Sequence, residues 1–388
     1  MCTQNSIKIS VYPSLATVEK DPWNRLVPTY FPFSSYEFLL ALETSQSVGR
    51  ECGSGWIPQY VTAWKDNELQ GAIILYIRYD SYGEYIFDWD WAEAYARNGR
   101  EYYPKLVSAI PYTPATGHKL LLSSDAKSER VVPLLLNTVD EFCKKLEGSS
   151  VHYLFIQEEE IPCFQNADYI IRNSFQYHWA NKDYDSFEDF LNHLRGKKAA
   201  RIRKERREVR EQGLKIQTLT GSTLKEDHAR IFYQFYLSTI DKKMAIPYLT
   251  EEFFHTVFQR MPDNILLLLV THGDRPVAGA LSFFSNTHLY GRYWGALTDY
   301  KFLHFELCYY REIEFAIQNG ITTFEAGAQG EHKIQRGFLP ALTYSAHRIE
   351  SPEFSKAIER YVVDEARSIE HIMQHLNGMS PYRAAVEI

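Results

Sequence analysis

The chain has 388 residues, 45% hydrophobic and 23% charged, a balance that supports packed cores and excludes a disordered or low-complexity polymer. That length exceeds what a single core accommodates, so two domains are expected. With 42 Lys and Arg against 49 acidic residues the formal net charge is −7, which excludes a uniformly basic nucleic-acid binder and leaves the distribution of charge to be read.

The amino terminus, MCTQNSIKIS, has neither a charged start nor an apolar run, and the most apolar segment, Ile265 to Val270, is far shorter than a membrane helix. A cytoplasmic protein without integral membrane association is expected. Cys2, Cys52, Cys143, Cys163 and Cys308 are scattered with no CxxC pair, which fits free thiols in a reducing compartment.

In chain order, strands are expected at Tyr60–Trp64 and Ala72–Tyr79, joined through the polar turn Lys65-Asp66-Asn67. Acids and aromatics then gather near predicted strand ends: Glu84, Asp88, Asp90, Trp91, Tyr102, Tyr103 and Lys105. They read either as a core edge or as a substrate groove. In the groove, Trp91, Tyr102 and Tyr103 would stack on a sugar or peptide, Asp88 or Glu84 would pair with an amine, and Lys105 would also belong to the substrate-binding set. A helix over Glu129–Leu146, with Val131, Leu134, Leu135, Val139 and Phe142 on one face, leads to a strand at Val151–Gln157 and completes a βαβ-like unit.

Helices follow at about Ser186–His193, Lys197–Gln212, Lys225–Ile240 and Thr250–Arg260. The segment Arg195–Glu211 carries nine Lys or Arg against three Glu, which leaves the remainder near −13. Its only sizeable apolar residues are Ile202 and Val209, so a surface helix is expected. Its Arg/Glu spacing fits a solvated connector. The other reading is that Lys197, Lys198, Arg201, Lys204 and Arg207 meet the phosphates of a tRNA or another anionic ligand.

The plan of the first half then recurs: strands at Ile265–His272, Val277–Phe284 and His288–Trp294, a helix at Phe305–Gln318 ended by Asn319-Gly320, and a strand at Thr322–Glu325. A last helix is expected from about Pro352 to Leu376. Two such units, each with antiparallel strands leading into a helix and a further strand, suggest a tandem acyltransferase architecture. The expected domains are 1–174 and 175–388, the second including a helical insertion at 186–260.

The densest cluster of proton-moving and anion-holding groups lies between Gly291 and Pro340. His304 and Glu306 open a helix, where His304 is a candidate general base. In the turn Glu325–Arg336, Gly327 and Gly330 allow a ligand close to the backbone, while Gln329, His332, Lys333 and Arg336 follow i, i+3, i+4, i+7 spacing. The expected roles are His304 or Glu325 as base, Gln329 as an oxyanion donor, and Lys333 and Arg336 as anchors for a phosphate or carboxylate. Trp294 and His332 would line the substrate. The spacings His-x-Glu and Glu-x6-His match no dedicated zinc pattern, so no metal is expected.

The stretches SYGEYIFDWDWAEAYARNGREYYPKLVSAIPYTPATG, GLKIQTLTG, FYQFYLSTIDKK, GRYWG, LHFELCYY, FEAGAQGEHKIQRGF and TYSAHRI carry a resemblance to the FemAB-like family. The resemblance implies an α/β fold of two tandem GNAT-like domains and a link to peptidoglycan biosynthesis or recognition. A looser likeness to ligases that use aminoacyl-tRNA, and to N-acetyltransferases, implies acyl or aminoacyl transfer to an amine of a peptide-like or cell-wall-like acceptor. The donor would be an aminoacyl-tRNA or an acyl-coenzyme A. The acetyltransferase signature departs here, because the loop from Ala296 to His304 has no glycine after Gly295 to cradle a pyrophosphate. That departure keeps a non-catalytic module binding a peptidoglycan fragment or small metabolite as the alternative, beside an acetyl-coenzyme A-dependent N-acetyltransferase.

Overall fold

The computed structural model of the protein describes residues 6–126, 128–327 and 330–383. The chain forms two compact units: one comprises the residues up to Ser174 with Leu342–Glu370, the other Phe175–Ala341 with the residues from His371. The segment 342–370, expected in the second domain, clusters with the first.

The first unit begins with strands β1 (Lys8–Tyr12), β2 (Trp56–Lys65), β3 (Glu68–Arg78) and β4 (Lys105–Ser108). These four form an antiparallel meander, and a short β5 (Leu121–Leu122) pairs with β3. The β2–β3 hairpin turns through Asp66 and Asn67, both at positive φ, the two-residue turn that follows the twist of the strands. The helix Ser128–Lys145 then crosses over to β6 (Ser150–Ile156), which runs parallel to β4. That helix buries Val131, Leu135 and Val139 against Val61, Ile73 and Leu75, whereas Leu134, expected on the same face, is exposed.

Strand β7 (Ile170–Ala180) crosses the boundary between the units, and its second half belongs to the second. There β8 (Leu214–Leu219), β9 (Ile265–His272), β10 (Arg275–Phe284) and β11 (His288–Ala296) form another antiparallel meander. A helix from Leu303 to Gln318, widened to a π-helical turn at Glu306–Arg311, crosses to β12 (Thr323–Glu325), which is parallel to β11 and antiparallel to β7. Finally β13 (Leu339–Ile349) returns, and its residues from Tyr344 pair antiparallel with β6.

The two units therefore share one plan: four antiparallel strands, a crossover helix, a parallel fifth strand and an antiparallel sixth. The sixth strand of each is supplied by the chain that leaves the fifth strand of the other. The second core is built from alternating Leu266, Leu268 and Val270 of β9 and from Leu307, Ile313 and Ala316 of the crossover helix. Gly295 of β11 is required by close packing, because a Cβ there would lie 1.8 Å from the Phe235 carbonyl oxygen on the helix Glu226–Lys242. The basic segment forms the helix Gly196–Arg210, which buries Ala199, Ile202, Glu205 and Val209. β1, β7, β8 and β13 are elements that the hydrophobic pattern did not announce.

The aromatic, acidic stretch of the first unit is a buried ion network and not an open groove. Lys105 Nζ donates to Glu84 at 2.8 Å, Asp88 at 2.5 Å and Ser81 at 2.8 Å, and Tyr102 donates to Asp88 at 2.6 Å. Lys105, Asp88, Trp91 and Tyr102 are all buried, and half-buried Tyr103 reaches the Ser81 hydroxyl. The rings expected to stack on a sugar thus lie inside the unit, because Lys105 draws the loop inward over β4. Asp88 is held well below the usual carboxylate range, Lys105 being the chief cause against the opposing effect of burial, while burial lifts Glu84 to about 6. Replacing Lys105 with Met leaves two carboxylates buried without their shared cation. The expected loss is about 3–5 kcal/mol in urea unfolding at pH 7, and a loss below about 1 kcal/mol would show the network to be peripheral.

Candidate functional site

Strands β11 and β12 pair over only three positions, His288–Thr323, Leu289–Phe324 and Tyr290–Glu325. Beyond them β11 continues to Ala296 while β12 ends, so a wedge opens at the carboxyl ends of two parallel strands, where α/β sheets hold ligands. A cavity of about 130 Å³ occupies it. Gly291, Tyr293 and Trp294 of β11 form one wall, Ala326 after β12 another, and His304, Cys308, Tyr309 and Glu312 of the crossover helix the third. His304, Cys308 and Glu312 lie at i, i+4, i+8, so one helical stripe faces the space. The corresponding strands of the first unit, β4 and β6, also pair over three positions, but there the chain after β4 is buried from Ala109 to Ala115.

Glu312 is the most perturbed acid in this wedge. Its side chain is buried, and Oε1 accepts a 2.6 Å hydrogen bond from the Ser282 hydroxyl of β10. Ser282 follows a break in the β10–β11 register that turns its hydroxyl toward the helix. Glu312 Oε2 has no hydrogen-bond partner among the described residues. It lies beside Gly291, where a Cβ would come within 3.3 Å of it. Burial pushes the carboxyl up to about 8, with the Ser282 hydrogen bond acting in the opposite direction. Because Oε1 is the acceptor from Ser282, the exchangeable proton belongs on Oε2, the oxygen at the cavity.

Arg292 also lines the cavity, and around this acid stand further groups whose charged form burial disfavours. His304 packs edge-on to Trp294, with ring centroids 5.3 Å apart. Burial, aided by the positive charge of His332, Arg336 and Lys333, lowers its imidazole to about 4. The Tyr309 hydroxyl lies 2.9 Å from His332 Nε2. Lys333 is buried, donates to the Gly327 carbonyl at 2.7 Å, and is lowered to about 8 by burial. Glu325 is buried at the end of β12, 3.9 Å from His178, which burial holds neutral at about 4.

The wedge brings together Trp294 and His304 of the expected site residues. Lys333 and His332 follow in the adjoining turn Glu331–Arg336, and Glu325 ends the neighbouring strand. Gln329 lies outside the described residues. Arg336, expected to anchor a phosphate or carboxylate, is buried in an ion pair with Glu205 at 3.0 Å, donates to the Tyr310 hydroxyl, and stacks on Phe305 at 3.5 Å. Its planar donors are engaged in holding the turn to the basic helix. On that helix Arg201, Lys204 and Arg207 pair with Glu205, Glu208 and Glu211 at i+4 while remaining exposed, Lys198 reaches Gln335, and Lys197 is exposed. Glu306 is not at the cavity; it binds Arg206 and Arg311. Glu312 was missed because, in LCYYREIEFAI, it stands with Arg311 and Glu314 and reads as one more charged surface position. The signal that would have found it is its spacing of eight from His304 on the same helical face.

Among the described residues no group of three or more His, Cys, Asp or Glu could hold a metal ion, and no helix is long and apolar enough to cross a membrane.

The sequence profile of a family described as FemAB-like, peptidoglycan biosynthesis/recognition, matches residues 14–384. No curated protein matches the chain in sequence. Among solved structures, the crystal structure of FemX superposes with a TM-score of 0.53 at 11% identity, covering 91% of this chain and 100% of FemX. A tandem GNAT protein from the clavulanic acid biosynthesis pathway gives 0.46 at 8% identity over 89% and 99% of the two chains. L-PGS from Bacillus licheniformis gives 0.44 at 11% identity over 76% and 86%. The α/β fold of two similar units expected from the sequence is the fold observed, and FemX shares it. With a match that runs through both units, the chain belongs to the FemAB-like family.

Proposed function

We infer that this protein transfers an activated acyl or aminoacyl group to an amine of a peptide-like, cell-wall-type acceptor, with Glu312 as the proton-transferring residue. The observation that carries the reading is the unpartnered Oε2 of a buried carboxyl raised to about 8 at the wall of a cavity. A volume near 130 Å³ accommodates the reacting ends of two substrates but not their bodies. The family's link to peptidoglycan supports an acceptor of that class.

In the reaction, the acceptor nitrogen attacks the carbonyl carbon of the donor and a tetrahedral intermediate forms. Glu312 Oε2 takes the proton that the nitrogen must shed. The bond from the carbonyl carbon to the leaving oxygen or sulfur then breaks, and the same proton passes to the leaving group. The products are an amide, a neutral alcohol or thiol, and a regenerated carboxylate. An acid near 8 suits both halves, being basic enough to accept from an ammonium and acidic enough to return the proton. His304, held near 4, is a poorer acceptor at neutral pH. It and Trp294 serve as walls that exclude water. Lys333, near 8 and lacking a carboxylate partner among the described ion pairs, is the cation assigned to the developing oxyanion.

An aminoacyl ester of tRNA is favoured over acyl-coenzyme A as donor by the glycine-free segment from Leu297 to Phe302 and by the exposed cations Lys197, Arg201, Lys204 and Arg207. Incubation with charged tRNA, and separately with acetyl-coenzyme A, in the presence of a lysine-containing muropeptide tests the assignment. Amide formation with the ester alone supports it, and no transfer from either donor sinks it.

Glu312→Gln should lower the transfer rate by about a hundred- to ten-thousandfold. In the native protein kcat/KM should rise with pH to an inflection near 8 that the Gln variant lacks. Ser282→Ala removes a hydrogen bond that lowers the carboxyl, so its inflection should move to higher pH.

Stability should change with the opposite sense to activity. Glu312 has a folded-state pKa above its unfolded value, so folding takes up a proton, and its contribution declines as pH rises between the two values. The gain of Glu312→Gln over the native protein should therefore grow by up to about 1.4 kcal/mol per pH unit between roughly pH 4.3 and 8. Urea unfolding across that range reads it, and a pH-independent difference would contradict the raised pKa.

A further inference from the structure

The crossover helix places two consecutive residues, Cys308 and Tyr309, at the wedge cavity. Both belong to the π-helical turn Glu306–Arg311, a distortion of the kind that recurs at functional sites. Tyr309 is buried, yet its hydroxyl lies 2.9 Å from Nε2 of His332, which is exposed at the surface. One hydrogen bond therefore joins a residue of the cavity wall to a residue in water.

The turn is shaped around that imidazole. A Cβ on Gly330, at φ +116°, would come within 2.6 Å of His332 Cε1, so the ring folds over backbone that glycine leaves clear. Arg336 donates to the His332 carbonyl at 2.9 Å, and the Phe305 ring lies 5.8 Å from the imidazole. The titratable and charged groups around the pair are His304, Cys308 and Glu312 of the helix and Lys333 and Arg336 of the turn. Burial, with Arg336 and Lys333 alongside, lowers His332, so it is neutral and able to accept a proton where Glu312 works.

On the transfer reading, on which this inference rests, the proton count leaves one task unassigned. A primary amine arrives at neutral pH as an ammonium. An ammonium and an ester yield an amide, an alcohol and one free proton. Glu312 carries one proton from the nitrogen to the leaving oxygen, so a second must leave a wedge of about 130 Å³. We propose that Tyr309 and His332 are the exit for that second proton. An ammonium N–H bond breaks as its proton joins the Tyr309 oxygen, while the phenol passes its own proton to His332 Nε2. The nitrogen keeps the electron pair that attacks the donor carbonyl. Tyr309 stays neutral throughout, in keeping with a phenol whose ionisation burial opposes. The imidazolium gives a proton to water, and nothing is oxidised or reduced.

The test compares the native protein with Tyr309→Phe, which keeps the ring, and His332→Ala, using charged tRNA as donor and two acceptors. The lysine-containing muropeptide arrives as an ammonium, whereas hydroxylamine is uncharged at neutral pH and brings no second proton. With the muropeptide, kcat should fall about tenfold or more in both variants at nearly unchanged KM. The deficit should narrow with hydroxylamine, and added imidazole should restore His332→Ala. Circular dichroism checks that both variants are folded. Equal deficits with the two acceptors, together with no rescue by imidazole, mark a structural role and overturn the relay. Native rates in both variants overturn it as well and leave the Glu312 assignment standing. A native protein that transfers to neither acceptor overturns the relay and the transfer reading together.

Discussion

Everything at the candidate site follows from how briefly β11 and β12 stay together. Two parallel strands bound along their full length leave no room between them. Here the ladder ends after Tyr290–Glu325 because β12 is three residues long, and the crossover helix must cover the gap that β11 leaves as it runs on. The helix meets that gap with His304, Cys308 and Glu312 from one stripe. Gly291 keeps the opposite wall low, so the buried carboxyl oxygen beside it is left without a hydrogen-bond partner among the described residues.

The two units treat buried charge in contrasting ways. In the first, Lys105, Glu84, Asp88 and Arg78 compensate one another, and their carboxylates and cations fix a loop to the sheet. In the second, Glu205 and Arg336 form a comparable closed pair that holds the turn Glu331–Arg336. Glu312 alone of these acids faces burial without a cation, and its one hydroxyl partner leaves an oxygen unsatisfied. A buried polar atom of this kind lowers stability and is retained in working proteins where chemistry uses it. The contrast separates acids that build the fold from the acid to which we assign the proton transfer.

Much of the architecture was legible in the sequence because hydrophobic period and turn chemistry agree locally. The β2–β3 hairpin at Asp66-Asn67, the unbroken apolar run of β9 and the Asn319-Gly320 helix end are such cases. Strand β8, LKIQTL, was hidden because its partly buried residues carry polar neighbours, and β13 because LPALTYSAHRI has no clean alternation. Of the two readings open for the first-half aromatics, the structure takes the core edge for a physical reason: Asp88, Tyr102 and Lys105 are close enough to neutralise one another inside. Glu312 was illegible because an acid within an apolar helix reads as a surface position. Only the strand opposite, with its register break at Ser282, turns it inward.

The exchange of sixth strands bears on how the protein is made. β6 has β4 on one side and β13 on the other, and His152 on β6 contacts His347 on β13 across 195 residues of chain. During synthesis the first unit therefore has all its strands but one long before the last arrives, and it waits with an open β6 edge until β13 leaves the ribosome. Such an edge is a template for pairing with the wrong chain. A fragment ending near residue 174 would carry that edge permanently.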